Sequence, residues 1–299
     1  MKNLFVQKEY IYPVVLALFS LSINQYYGYV GILPIDSFLI FNSGYDLLNG
    51  FYPFKDYWTI KEPFIDLLQA LFFKVLGVSW FSYVLHASIF NLLISLSTYF
   101  ILRYFRLSSN LSFLYSLCVA ALTYPTAGTP FSDHHTLIFC ILSLYLFLIT
   151  LKTNNKYFWF ILPFLLGFSF LSKQAPTAYL ILLISFFSLI YFFYKKDFNG
   201  LVYAILGASV FIVIFIITLL LLNIKIVDFI NQYLLFPQTL GITRLDWVFP
   251  FEFKRIILRF KVHYLSIFFL VFILIKYTTQ KEKKIKIEEV LVALSLVFT

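Results

Sequence analysis

Long apolar runs alternate with short polar segments along most of the chain. A helix that crosses a bilayer needs about 20 apolar residues. Runs of about this length predict spans at 12–30, 79–102, 110–128, 134–151, 157–172, 176–194, 201–222 and 263–277, with a ninth beginning near 288. We divide 157–194 into two helices, because one helix of that length would measure about 57 Å and SKQAP, with Pro176, supplies a break. The pattern predicts an all-α, polytopic membrane helical bundle.

Two polar stretches between the spans are long, at about 31–78 and 223–262. The first holds two short helical patterns, one from Phe64 to Leu76 and one with the apolar repeat Phe38, Phe41, Tyr45 and Leu48. Both are too short to span, which predicts helices lying in the membrane interface. In the second stretch, IVDFINQYLLF is amphipathic and EFKRIILRFKVHY is basic and aromatic.

The composition agrees with a lipid solvent. Only 12% of the residues are charged and 61% are hydrophobic, with a mean hydropathy of +0.88, whereas soluble domains carry about 25% charged residues. In a membrane chain the net charge of +9 reports orientation and contact with anionic lipid, so we expect no nucleic-acid partner. Cys118 and Cys140 fall inside predicted spans without metal-binding spacing and are interpreted as small apolar residues.

Basic residues orient the predicted spans. With the N-terminus inside, the inner segments hold thirteen of the 23 basic residues and five of the 14 acidic ones, as the positive-inside rule expects. Both long stretches then lie outside, so we expect any chemistry to face outward. The chain stops inside a new apolar run at Leu291–Thr299. We therefore expect 1–299 to be a single transmembrane module of a longer protein.

Two acids stand at the outer ends of predicted spans: Asp36 in LPIDSF and Asp133 in PFSDHH. Each has a plain interpretation as a helix N-cap, since aspartate before a helix suits that role. The functional alternative is a carboxylate at the membrane surface that removes the proton of a hydroxyl acceptor, with a pKa raised toward the working range by partial desolvation.

His134 and His135 follow Asp133 directly. Adjacent residues of a helix point about 100° apart, so at most one of the two joins an acid on the same divalent ion. No HxxxH or CxxC spacing supports such an ion. Whether a divalent metal ion binds beside Asp133 therefore stays an open alternative.

Several basic residues in the outer segments have two interpretations. A lysine near a helix end commonly snorkels, and a basic loop commonly contacts anionic headgroups. The alternative is a clamp on one lipid-linked phosphate, whose oxygens match ammonium and guanidinium donors. The residues are Lys61 in TIKEP, Lys173 in FLSKQAP, and Arg244, Arg255 and Arg259 in the last outer loop, the latter two one helical turn apart.

The order of these motifs along the chain resembles that of a known family. An acid after the first span, then LLNGFYPFKDY, KEP and LQALFFKVLG, is similar to the first outer loop of membrane glycosyltransferases of the GT-C fold. The nearest group is the bacterial protein-mannosyltransferase-like group, which includes the aminoarabinose transferases and the rhizobial lipopolysaccharide sugar transferases. FSDHH and GFSFLSKQ extend the resemblance to about residue 200.

The resemblance implies an enzyme that moves a sugar from a polyprenyl-phosphate donor to a hydroxyl acceptor (lipid, glycan or protein) at the outer face of the bacterial inner membrane, with inversion. The resemblance also implies that this reaction is a cell-envelope glycosylation of the kind that modifies lipopolysaccharide. Asp36 matches the family's catalytic acid, and Asp133 matches the acid of the next outer loop. The positions that match donor-phosphate contacts are Lys61, Lys173 and the region of Arg244, Arg255 and Arg259. Beside the resemblance, Glu62, His134 and His135 are candidates to support the site.

The chain departs from the family pattern at three points. Ser37 stands where a second acid is usual, Leu39 stands where some members have an arginine, and KEP replaces K-P-P, which leaves Glu62 as an additional acid. The competing class is a multispan transporter or a lipid or polysaccharide flippase, and a polysaccharide polymerase or ligase, or an inactive homologue, is a third alternative. A transferase predicts that Asp36, Asp133, Lys61 and Lys173 converge in one outward cavity open to lipid.

Overall fold

The structure, a computed structural model, describes residues 2–31, 36–60, 62–123 and 128–240, together with positions 261, 264, 267, 268 and 271. Within these residues the fold is all-α, without a strand. The helices are α1 Lys2–Val30, α2 Asp36–Leu48, α3 Pro63–Leu76, α4 Trp80–Tyr104, α5 Ser109–Leu122, α6 Ser132–Thr153, α7 Lys156–Ser172, α8 Gln174–Lys195, α9 Asn199–Leu221 and α10 Ile226–Phe229, which continues into the π-helical Ile230–Leu235.

Four helices (α4, α6, α8 and α9) are long and apolar enough to cross a membrane, and α5 and α7 are shorter apolar helices. The expected all-α polytopic bundle is confirmed, and the protein is a multi-pass membrane protein. α1 starts about ten residues before the predicted span, and α5 ends at Leu122 rather than near 128. The ninth span lies outside the described residues, and so do the predicted span at 263–277 and the basic EFKRIILRFKVHY segment, apart from the five single positions named above.

The helices run alternately up and down, which gives the bundle two chemically different ends. At one end, which we call the basic end, the short turns carry Arg103, Arg106, Lys152, Lys156, Lys195 and Lys196. There Asn154 Nδ2 donates to Asp197 Oδ2 at 2.9 Å, joining the α6–α7 and α8–α9 turns. The other end, the loop end, carries α2, α3, α10 and the π-helix. This asymmetry is the one that the positive-inside rule describes.

α7 lies at the centre of the C-terminal half, between α6, α8 and α9. Its Trp159 is buried against Phe147 of α6 and against Phe192 of α8, with ring centroids 6.2 and 4.6 Å apart. α9 approaches α7 closely because Gly207 has no side chain: a Cβ there would lie 2.1 Å from the carbonyl oxygen of Phe160. Most of α9 remains exposed, as expected for a helix facing lipid.

The predicted break between α7 and α8 is confirmed. α7 ends at Ser172, α8 begins at Gln174, and Lys173 between them is extended, with φ −162° and ψ 132°. Pro176 lies in the first turn of α8, where its missing N–H costs nothing. The two helices therefore form a hairpin with Lys173 at its tip.

Polar side chains join α1, α4 and α5 within the bundle. Asn91 Nδ2 donates to the carbonyl oxygen of Ala120 on α5 at 2.9 Å, and that of Ser20 on α1 is 3.4 Å away. Asn24 Nδ2 reaches Ser88 Oγ at 3.1 Å. Such bonds between helices are ordinary packing contacts in a membrane bundle.

Gly128 fixes the connection between α5 and α6 against α1. Its φ is +61°, and a Cβ there would lie 2.1 Å from the backbone nitrogen of Gly28. Asn24 Nδ2 also donates to the Gly128 carbonyl oxygen at 2.9 Å. Because this connection leads directly into Asp133, the glycine places that acid.

We expect Gly128→Ala to destabilise the protein by more than about 2 kcal/mol, since it combines left-handed strain with an overlap against backbone that cannot move aside. The measurement is the temperature at which half of the detergent-solubilised protein remains monodisperse. Gly31→Ala is the matched control, because a Cβ at Gly31 meets nothing within 4 Å, and it should stay within about 0.5 kcal/mol of wild type. Equal losses from both variants would contradict this role of Gly128.

Candidate active site

Four segments meet at the loop end: both long polar stretches between spans, the α5–α6 connection and the tip of the α7–α8 hairpin. Gln174 Nε2 donates to the carbonyl oxygens of Ile60 and Tyr233, at 3.1 and 3.0 Å. Gln232 bonds the first stretch in both directions, because its Nε2 donates to Phe54 O at 3.1 Å and its Oε1 accepts from Thr59 N at 3.0 Å. Two glutamines therefore join three of these segments: the first stretch, the second stretch and the hairpin tip.

Gln232 and Tyr233 both belong to the π-helix Ile230–Leu235. A π-helical turn inserts an extra residue into a helix and occurs frequently at functional sites. Here the two side chains point to different neighbours: Gln232 bonds the 54–59 stretch, and Tyr233 Oη donates to Phe170 O of α7 at 2.6 Å. The irregular turn thus serves two contacts at once.

Asp133 and Lys173 form an ion pair, in which Lys173 Nζ donates to Asp133 Oδ1. The side chains are 49% and 37% exposed, respectively. The helix-cap interpretation of Asp133 is wrong: Phe131 takes the N-cap position of α6, no side chain caps that end, and Asp133 lies in the first turn. Partly exposed ion pairs contribute at most about 1 kcal/mol, so stability alone gives little reason for this pair.

Glu62 and Asp66 place two further carboxylates at the start of α3. They are 9% and 3% exposed, which is rare for acids. Glu62 also has a left-handed backbone, with φ 42° and ψ 43°, a conformation that costs a glutamate of the order of 1 kcal/mol or more. Such strain in a buried acid is typical of functional sites.

These two carboxylates act on tyrosines from other segments. Burial first, and then the charges of Glu62 and Asp66, raise the pKa of Tyr233 well above its ordinary value. Burial and then Asp66 and Asp46 likewise raise the pKa of Tyr57. Both phenols are protonated at neutral pH, as an ordinary tyrosine is, and the raised pKa extends the protonated state further into the alkaline range.

The acids at the start of α3 and the Asp133–Lys173 pair belong to one region. Tyr83, which lies within electrostatic range of Glu62 and Asp66, has its hydroxyl 3.4 Å from Pro130 O, three residues before Asp133. Tyr233, within range of the same acids, bonds Phe170 O, three residues before Lys173. The region thus combines acids in two environments, buried and half-exposed, with a lysine beside one of them.

His135 turns away from Asp133 into the bundle. Its Nε2 lies 3.1 Å from Nε2 of His86 on α4, whose Nδ1 lies 2.8 Å from Gln69 Oε1 on α3. All three side chains are fully buried, so the chain of contacts joins α3, α4 and α6. Among the described residues, no three His, Cys, Asp or Glu side chains could hold a metal ion together.

His134 remains beside Asp133, with its ring centroid 5.6 Å from that of Phe131.

Several predicted site residues are only partly located. Asp36 is the first residue of α2, and its side chain lies outside the described residues, as do Lys61, Arg244, Arg255 and Arg259. Lys61 is flanked by Ile60, which Gln174 binds, and by the buried Glu62. α2 packs closely on α3, where a Cβ on Gly44 would lie 2.6 Å from Gln69 Cγ.

The sequence analysis did not predict that Asp66 and Gln69 are buried. It also did not predict that Gln174 and Gln232 bridge distant segments. Asp66 and Gln69 are three residues apart and share one helix face, and this face is buried rather than wet. That spacing was the available signal. For Gln174 and Gln232 we find none, since their partners lie more than fifty residues away along the chain.

An apolar groove starts at Asp133 and runs between α6 and α8. It has a volume of about 470 Å³, and its lining is Asp133, Thr136, Leu137, Cys140, Ile141, Leu144, Pro176, Tyr179, Leu180 and Leu183. Along α6 it extends from Asp133 to Leu144, ~16 Å at 1.5 Å per residue, which is about half the thickness of a hydrocarbon core. The half-exposed ion pair therefore stands at the mouth of a hydrocarbon-like channel.

The strain at Glu62 makes a stability prediction. We expect Glu62→Gly to be more stable than Glu62→Gln by about 1 kcal/mol, because only glycine adopts the left-handed backbone without cost, while both variants lose the carboxylate. Comparing the two by thermal unfolding in detergent removes the effect of the charge. Lys196→Gly is the matched control, because Lys196 also has a left-handed backbone (φ 53°) but lies at the basic end. Its free energy of unfolding should rise by a similar amount. No difference between the Glu62 variants would mean that Glu62 stores no strain.

Comparison with known proteins gives one match. A family model described as dolichyl-phosphate-mannose-protein mannosyltransferase matches residues 61–221, more than half of the chain. The matched stretch starts at KEP and includes Glu62, Asp66, Asp133 and Lys173. No curated protein and no solved structure matches the chain.

Proposed function

We propose, from the premise that this chain belongs to the dolichyl-phosphate-mannose-protein mannosyltransferase family, a family of GT-C membrane glycosyltransferases, that it transfers a sugar from a polyprenyl-phosphate donor to a hydroxyl acceptor. The observation that carries the proposal is the Asp133–Lys173 pair beside two buried acids at one end of the bundle. A transferase needs a cation for the phosphate and carboxylates that bind or deprotonate hydroxyls. Lys173, Asp133, Glu62 and Asp66 lie within the matched region, whereas Asp36, to which the proton removal is assigned below, precedes it.

The basic turns support an outward orientation of this site in a bacterial inner membrane. Arg103, Arg106, Lys152, Lys156 and Lys195 are all at the end opposite to Asp133. Short basic turns stay on the cytoplasmic side, so the loop end would face outward, where lipid-linked sugars meet envelope acceptors. The single transmembrane module expected for 1–299 fits this arrangement.

The proposed reaction is a direct displacement at the anomeric carbon of the sugar. The bond from that carbon to the phosphate oxygen breaks, and its electron pair stays on the phosphate, which gains one negative charge. A bond to the acceptor oxygen forms, and the acceptor proton goes to a carboxylate, which we assign to Asp36. Attack from the face opposite to the phosphate inverts the configuration of the sugar.

Lys173 would stabilise the growing charge on the phosphate, with Lys61 and an arginine of the 244–259 region as further cations. A fixed cation there is more strongly bound to the transition state than to the ground state, because the charge grows as the bond breaks. Glu62 and Asp66 would hold the acceptor or sugar hydroxyls. Both are buried, where hydrogen bonds to charged groups contribute about 1.5–3 kcal/mol.

The test is incubation of the purified protein with a panel of radiolabelled polyprenyl-phosphate sugars and an envelope lipid extract as acceptor. We expect label from at least one donor to appear in a new glycosylated product. Movement of an intact donor between the leaflets of proteoliposomes, with no cleavage of the sugar–phosphate bond for any donor, would support the flippase alternative instead.

A further inference from the structure

The groove between α6 and α8 differs from the other apolar spaces of the bundle in its mouth. Among the residues lining the spaces beside α9, one of about 530 Å³ between α7, α8 and α9 and one of about 340 Å³ between α3, α7 and α9, the described part of the chain supplies no charged side chain. The α6–α8 groove has Asp133 at its mouth, with Lys173 bonded to it. Its walls below are hydrocarbon, apart from Thr136, Cys140 and the hydroxyl of Tyr179.

This combination fits a ligand with one long apolar chain and an anionic head. The chain would lie in the ~16 Å of groove, and the head would reach Lys173. A phosphate head is the better partner for the lysine than a neutral one, because charge-assisted hydrogen bonds are roughly twice as strong as neutral ones. The occupant that matches the family is a polyprenyl phosphate.

The ion pair opposes such a ligand. Asp133 already occupies one hydrogen-bonding direction of Lys173 Nζ, and its negative charge stands where a phosphate would bind. Like charges about 4 Å apart repel by about 4 kcal/mol at a surface-type effective dielectric constant, less when both are half-exposed. The pair itself is weak enough to exchange, so the phosphate can replace the carboxylate on the lysine.

We infer that the α6–α8 groove binds the polyprenyl chain of the lipid phosphate and that its phosphate displaces Asp133 from Lys173. The inference rests on the proposed function for the class of lipid. Binding releases the Asp133 carboxylate, which then faces the sugar side of the mouth. After transfer, the phosphate carries one more negative charge, so its repulsion by Asp133 increases and favours release of the product.

The two partners of the ion pair therefore have opposite effects on lipid affinity, which a purely structural pair would not show. Asp133→Asn removes the competitor and the repulsion and should tighten binding about tenfold, or about 1.4 kcal/mol. Lys173→Gln removes the cation and should weaken binding about tenfold. If the pair only stabilised the fold, both variants would weaken binding.

The experiment uses the full chain in lipid nanodiscs with a polyprenyl monophosphate that carries a photoreactive group in its chain. Affinity is measured by competition with the unlabelled lipid, and the labelled residues are located by mass spectrometry. We expect labelling of α6 and α8 on the groove side. Leu137→Trp, which fills the groove, should weaken binding at least tenfold. Ile149→Trp is the control, because it lies near the other end of α6 and lines a different cavity.

Three results would overturn the inference: equal affinity for Leu137→Trp and Ile149→Trp, weaker binding by Asp133→Asn, or equally effective competition by phosphatidylglycerol, which would make the groove an ordinary lipid contact. Sugar transfer is measured separately on the same samples. If the two variants change lipid binding in opposite directions but the wild type transfers no sugar, the groove is supported as the lipid site and the proposed function is contradicted. If Leu137→Trp transfers sugar at the wild-type rate, the proposed function stands and the groove is not the lipid site.

Discussion

Asp36→Asn should lower the rate of sugar transfer by a factor on the order of 10²–10⁴, which is the usual contribution of a general base. The amide keeps the size of the carboxylate but cannot accept the acceptor proton. The measurement is the initial rate of label transfer by purified protein, at donor concentrations that saturate wild type. Donor binding should remain within a factor of about three, since the base does not contact the phosphate in the proposed geometry.

Asp46→Asn is the control for this variant, because it removes a carboxylate near the other end of the same helix. We expect Asp46→Asn to keep most of the wild-type rate. If the Asp36→Asn protein is inserted in the membrane and transfers sugar at the wild-type rate, Asp36 is not the general base. Glu62 or Asp66 would then be the next acids to test, as both are buried at the same end.

Lys173→Gln should lower transfer on the order of 10²-fold, through the loss of a cation that stabilises the leaving phosphate. The charge-swapped double variant Asp133→Lys with Lys173→Asp separates this role from a structural one. It restores an ion pair across the same gap, so its thermal stability should be close to that of wild type. Its activity should stay low, because the cation now stands on α6 rather than at the hairpin tip.

Lys74→Gln serves as the control for the lysine, because Lys74 is an exposed lysine in the last turn of α3. It should retain wild-type transfer. Recovery of full activity by the charge-swapped protein would show that the pair matters only for folding, and Lys173 would lose its place at the phosphate.

Local pattern was sufficient for several elements of this fold. The repeat from Phe38 to Leu48 predicted α2, and the apolar run from Phe64 predicted α3, each within a residue or two of its observed bounds. SKQAP predicted the break at Lys173. These features depend on periodicity and on proline chemistry within one helical turn or two, which a sequence records directly.

Features that depend on distant contacts were not predictable. Asp66 lies in a run that predicted an interfacial helix, but α3 packs against α2, α4 and α7, and Asp66 is buried. The carboxylate of Asp133 looked like a cap because aspartate is common there, whereas its actual partner, Lys173, is forty residues away. The left-handed backbone of Glu62 has no local signature, since glutamate rarely adopts it.

The central claim, that the loop end carries out glycosyl transfer, is tested most directly by one stoichiometric measurement. Purified protein in nanodiscs is incubated with a doubly labelled polyprenyl-phosphate sugar, with one label in the sugar and one in the phosphate, and with its acceptor. The account predicts that sugar label in the glycosylated acceptor and phosphate label in free polyprenyl phosphate appear in equal amounts, and that Asp36→Asn and Lys173→Gln suppress both. Both labels remaining together in intact donor, at every donor and acceptor supplied, would contradict it.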